Sequence, residues 1–136
     1  MKKCLNTSLI YMILGLASGV FYRTFTMIKG YTGLTALSVT HTHLLVLGMI
    51  MFLIIALFAN DTKLAEEKSF KTFYTLYNIA LPFVVVMLYV RGIPQVLNIT
   101  LASGLDHAIS GIAGVAHILL AVAMVFLFKA LKTLSK

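Results

Sequence analysis

Three of the chain's four histidines, His41, His43 and His117, stand inside long apolar runs. At membrane depth an ionisable side chain is costly to desolvate unless it is paired or bound to something. An imidazole there can ligate a transition metal, pass a proton or donate to a carbonyl. For one lone histidine, a neutral ring bonded to a nearby carbonyl, or to a hydroxyl such as Thr40 or Thr42, is the ordinary explanation. Three in one small chain reverse that preference. The fourth, His107, follows Asp106 and reads as half of a solvated pair at the membrane edge.

His41 and His43 form an H-x-H. Residues two apart on a helix project about 200° from each other, so this pair does not chelate one ion as an i, i+4 pair does. They are placed to serve two sites, one on each flank of their helix. Around His117, Ser110, Ala113 and Gly114 precede the ring at i−7, i−4 and i−3, and Ala121 follows at i+4. Either a flat macrocycle or a closely packed neighbouring helix needs a face stripped of bulk in this way. Haem is the cofactor that fits best, since facing helices hold it by axial histidines and no cysteine is needed. The single cysteine, Cys4, excludes an internal disulfide, a Cys-rich zinc site and an iron–sulfur cluster held by this chain alone. Arg23 and Arg91, the only arginines, are placed with Lys29 to meet haem propionates, because a guanidinium binds a carboxylate through two hydrogen bonds, and serve equally well as interfacial anchors. Tyr22, Tyr31 and Tyr89 read as an interfacial aromatic belt.

The elements that position these residues are membrane helices. The composition is 60% hydrophobic and 11% charged with a mean hydropathy of +0.99, whereas a soluble domain carries about 25% charged residues. A helix needs about 20 apolar residues to cross roughly 30 Å of hydrocarbon. Four uncharged runs, 4–22, 31–60, 72–90 and 108–128, meet that need. The second is too long for one straight span, so residues near Tyr31, Gly33 and Thr35 read as a loop and the span as about 35–60. The expectation is therefore one all-α integral membrane domain over residues 1–136 with four transmembrane helices.

The net charge of +7 is a topology signal and not a nucleic-acid patch. Lys2, Lys3, Lys63, Lys68, Lys71, Lys129, Lys132 and Lys136 fall on one side, against Arg23, Lys29 and Arg91 on the other. Both termini are thus expected in the cytoplasm, with connections 23–35 and 91–106 outside. Gly15 and Gly19 make a G-x-x-x-G that lets another helix pack closely. Pro82 is expected to kink the third span, and Pro94 to lie in the outer loop.

The segment from His41 through His43 and Leu44 to Gly48 resembles the H-x-H-L-x-x-x-G helix of small four-helix bacterial proteins related to subunit I of haem–copper oxidases and nitric oxide reductases. The whole chain is also similar to a domain-of-unknown-function family of short bacterial membrane proteins with a Gly-x-x-His helix like Gly114 to His117. The resemblance implies a haem b protein of the bacterial inner membrane in which His41 and His43 bind different haems. It also implies a fold equal to one four-helix arc of the oxidase subunit, three copies of which can build an oxidase-like homotrimer. No separate copper-site helix with its own His and Tyr pattern is present, so oxygen or nitric oxide reduction is not implied. What remains is electron transfer, with a quinol or other redox partner, or the sensing of a diatomic gas or of haem. Two other classes compete: transition-metal or proton transport by His41, His43, His107 and His117 with Met49 and Met51, and a structural protein with packing histidines.

At 1.5 Å per residue, His43 lies roughly 26 Å above Asp61 and His117 roughly 18 Å above Lys129. That offset of about 8 Å disfavours a His43–His117 pair within one subunit and favours pairing of helix 2 histidines between subunits, which differ by only about 3 Å.

Overall fold

The computed structural model describes residues 1–134, so Lys136 of the topology count lies outside the described residues. Four helices are long and apolar enough to cross a membrane: α1 (Lys2–Ile28), α2 (Ala36–Asn60), α3 (Lys68–Val96) and α4 (Ser103–Leu134). Only a helix satisfies its own backbone groups in hydrocarbon, so apolar runs of this length fold this way. The termini and the α2–α3 connection, which carries a short 3₁₀ turn at Leu64–Glu66, lie at one end of the bundle, here the termini end. The other two connections lie at the opposite end.

The helices outrun the uncharged stretches. Arg23 belongs to α1, and both Arg91 and Pro94 belong to α3, so the two connections at that end shrink to residues 29–35 and 97–102. A charged residue stops a membrane span without stopping the helix, since beyond the hydrocarbon water solvates the charge. Pro94 sits in the helix and not in the outer loop because its neighbours are tied down: the Gln95 side chain accepts from the Ala36 N–H at 2.8 Å, and Gly92 O accepts from the Thr35 hydroxyl at 3.1 Å. Gly92 is required there, because a Cβ would stand 2.6 Å from the backbone nitrogen of Leu37. α3 ends at Val96, and Asn98 just beyond it takes a φ of 53°, the left-handed stop that asparagine tolerates.

The core fills the termini end. Phe52, Phe73, Tyr77, Leu64 and Leu81 are fully buried, and Phe52 packs against the rings of Tyr11, Phe73, Tyr74 and Tyr77. Polar groups stitch α1 to its neighbours: Thr7 bonds Tyr74, the Tyr11 hydroxyl donates to Asn78 Oδ1 at 3.0 Å, and the Tyr89 hydroxyl donates to Ser18 Oγ at 2.9 Å. Tyr89 is therefore an interhelical pin and not a belt residue. Gly15 and Gly48 bring α1 and α2 together, since a Cβ at Gly15 would stand 2.7 Å from Leu45 and one at Gly48 only 2.5 Å from Tyr11. The G-x-x-x-G of α1 is thus occupied within the chain.

α2 is not a uniform helix. It opens with a 3₁₀ turn at Ala36–Val39, passes through one α turn, becomes a π-helix over His43–Ile50 and returns to α from Met51. α2 and α4 both lie against α3, while α4 otherwise meets mainly the Leu64–Glu66 turn. The histidine-bearing stretches of α2 and α4 therefore face each other without extensive backbone packing.

Candidate functional site

The H-x-H divides as its spacing requires. His41 turns toward α1, where its ring stacks on Tyr22 with centroids 6.3 Å apart and planes 12° from parallel. Gly19 lies beside it, and a Cβ there would make an ordinary contact with the His41 side chain at 3.7 Å. The His41 Nδ1 is buried and has no hydrogen-bond partner among the described residues. Tyr22 is accounted for by this contact, and Tyr31 by donation to Leu34 O at 2.9 Å.

His43 faces the other way, toward α4 and His117. The two imidazole centroids are 6.4 Å apart and the ring planes stand at 87°. The two rings thus meet within one chain, although depth counted along ideal helices disfavoured that pairing. Two physical reasons account for the difference: α4 continues past Lys129 to Leu134, so Lys129 marks no helix end, and the wide turns of His43–Ile50 rise less per residue than the α-helix assumed. A pair within one chain is the geometry present.

Both rings are oriented in the same way. His43 Nδ1 lies 2.8 Å from Val39 O and His117 Nδ1 lies 2.8 Å from Ala113 O, each one turn earlier on its own helix. A carbonyl oxygen only accepts, so each Nδ1 carries the proton and donates. In the neutral ring this leaves each Nε2 with its lone pair free. Metal-binding histidines are commonly fixed by such a second hydrogen bond, which sets the tautomer and raises ligand basicity.

The bare face beside His117 is open. A Cβ placed on Gly111 or Gly114 would meet nothing within 4 Å, so these residues do not serve helix packing within the chain. His117 itself is exposed and His43 half-buried. Two turns above His117, at i−7, Ser110 Oγ accepts from Arg91 Nη2 at 2.6 Å, and the same nitrogen lies 3.2 Å from Asp106 Oδ1. Arg91 thus stands over the His117 face, roughly 10 Å along α4 from the imidazole. Asp106 pairs with Arg91 and not with His107, which is exposed. Arg23, next to Tyr22 on α1, is exposed. Among the described residues no three His, Cys, Asp or Glu side chains converge as a metal-holding group, which leaves the His43–His117 pair as the arrangement to explain.

Compared with known families, residues 1–134 match the model described as protein of unknown function (DUF2871). The chain belongs to this family. No curated protein and no solved structure matches it. Membership fixes no chemistry, so the H-x-H and Gly-x-x-His positions must be read from their geometry in this member.

Sequence reading missed three features that build the site. The π-helix leaves no mark in apolar periodicity, because α2 is apolar on nearly every side. Gly48 and Gly92 are ordinary glycines until a neighbour's side chain is seen against them. Tyr11, Tyr74 and Tyr77 could have been found, since tyrosines away from the membrane edge need a partner for the hydroxyl.

Proposed function

We propose that this protein binds haem b in the bacterial inner membrane, with His43 and His117 of one chain as the axial ligands, and that it serves electron transfer or the sensing of a gas or of haem. The observation that carries this reading is the facing pair itself: two imidazoles at membrane depth, 6.4 Å apart, each with Nδ1 committed to a carbonyl and Nε2 left free. The residues fit the group in a second respect, because the open face at Gly111 and Gly114 is a cradle into which no part of the chain packs. Bound haem supplies one-electron chemistry to the site. The chain's own contribution is to fix the tautomer and aim of both rings, to exclude water through the apolar faces of α2, α3 and α4, and to hold a cation, Arg91, above the pair for a propionate. Arg23 and Lys29 offer further cations, and His41 serves a second contact.

The resemblance to one arc of haem–copper oxidase subunit I supports a homotrimer with a quinol or other redox partner, for which α4 offers the exposed apolar residues Ile112, Val115 and Val122. Both termini then lie in the cytoplasm with eight of the eleven basic residues. Metal or proton transport has one observation in its favour, the polar groups Thr7, Tyr11, Tyr74 and Asn78 at the α1–α3 interface, but each of them is already engaged in an interhelical bond. Haem content per polypeptide, measured for His43→Ala and His117→Ala, tests the proposal. Both variants should insert normally and lose most of their haem; full occupancy in either would remove that histidine from the ligand set.

A further inference from the structure

The wide turn of α2 decides where His43 points. Every residue inserted into a helix rotates the segment before it by about 100° relative to the segment after it. The lower part of α2 is fixed in the core through Phe52, Ile55 and Ala56, all buried. If His43–Ile50 relaxed to regular α geometry, the residues above would rotate by that amount, and His43 would leave the face it shares with His117.

A π turn is rare and needs compensation, because its hydrogen bonds skip the usual partner. Here the Met51 N–H reaches Val46 O and Gly48 O and passes over Leu47 O, its α-helical acceptor. Leu47 O instead accepts the Tyr77 hydroxyl at 2.9 Å. Two residues on, Met49 O accepts the Ser8 hydroxyl at 2.8 Å. Tyr77 is fully buried and Ser8 nearly so, and they come from opposite neighbours, α3 and α1. In hydrocarbon a carbonyl passed over by its own helix has no water to turn to, so the Tyr77 hydroxyl supplies the partner that Leu47 O loses in the π form, and the Ser8 hydroxyl ties the same segment to α1.

We propose that Tyr77 and Ser8 are positioning residues that hold the π turn open and thereby aim His43 at His117. This rests on the His43–His117 reading of the site, but not on what the pair binds. The test uses the full chain in membranes, with Cys4→Ser as background and cysteines placed by His43→Cys and His117→Cys, and reads the rate of cross-linking by a short bifunctional thiol reagent, since thiols in place of two facing imidazoles stand too far apart for a direct disulfide. The pair should cross-link readily. Adding Tyr77→Phe or Ser8→Ala should slow the reaction roughly three- to tenfold each, from the net worth of one hydrogen bond, and Ser8→Thr, which keeps the hydroxyl, should restore the rate. Unchanged rates in both hydroxyl-deleted variants would overturn the proposal. So would absence of cross-linking in the parent pair, since His43 and His117 would then not face each other. A second readout separates this from the haem reading: in chains with both histidines, Tyr77→Phe should shift the absorption of any bound haem while leaving its amount largely intact. Intact cross-linking behaviour in a protein that carries no haem would retain the positioning role and remove only the cofactor.

Discussion

Gly48→Ala and Gly114→Ala add the same methyl group to two membrane helices, and the structure assigns them opposite consequences. At Gly48 the new Cβ would stand 2.5 Å from Tyr11 Cγ, 2.6 Å from Tyr11 Cβ and 2.8 Å from Tyr11 Cδ1. These atoms lie next to the α1 backbone and have no rotamer escape. The ring is stacked on Phe52 at 5.8 Å and its hydroxyl is bonded to Asn78. Overpacking of this kind costs about 1–3 kcal/mol, and losing the Tyr11–Asn78 bond adds about 0.6 kcal/mol. The higher helix propensity of alanine returns at most about 1 kcal/mol. A net loss of about 2 kcal/mol remains, which raises the unfolded fraction roughly 30-fold. At Gly114 nothing lies within 4 Å, so the same substitution should leave the apo fold as stable as the parent or slightly more so. Its methyl does project into the proposed haem cradle, and haem retention should fall. Equilibrium unfolding in mixed detergent micelles, with the haem-to-protein ratio measured on the same samples, separates the two effects. A Gly48→Ala protein as stable as the parent would refute the packing argument. A destabilised apo Gly114→Ala protein would show that the α4 face is occupied by the chain's own packing.

Arg91→Ala should cost less than about 1 kcal/mol of stability, because the Arg91–Asp106 pair is part-exposed at 33% and 47%; under the proposed function it should weaken haem retention more than it weakens the fold, and equal losses would make the residue purely structural. Tyr11→Phe should lower stability by about 0.6 kcal/mol in the same unfolding assay, with no change in haem spectrum, since the Tyr11 hydroxyl bonds α3 and not the histidine pair. Reporters fused after Lys136 and within residues 61–71 should both read as cytoplasmic, and an external signal at either would invert the topology. Native mass spectrometry in mild detergent should show a closed homo-oligomer, a trimer by the oxidase resemblance; a haem-loaded monomer would show that the intrachain pair suffices alone.

The number and placement of the helices were legible because hydrocarbon imposes one simple demand, a run of about 20 apolar residues. Their ends were not, since Arg23 and Arg91 leave the hydrocarbon while remaining helical. The split of His41 and His43 onto opposite flanks came from angular spacing alone, and the structure shows it, with Tyr22 on one side and His117 on the other. The meeting of His43 with His117 inside one chain was not legible, for a physical reason. Depth counted along ideal helices ignores a π segment and helix overrun, and both act in the same direction here. The tyrosines divide similarly: a tyrosine near a membrane edge satisfies the belt pattern equally well whether its hydroxyl meets water or, like that of Tyr89, meets Ser18 on a neighbouring helix.

The central claim is that the facing imidazoles of α2 and α4 hold one haem. The absorption spectrum of the purified membrane protein, oxidised and then reduced, is the most direct test. The account predicts a Soret band that sharpens and shifts on reduction, present in the parent and strongly diminished in His43→Ala and His117→Ala. A well-folded parent protein with no Soret band, when produced with haem in excess, would contradict it.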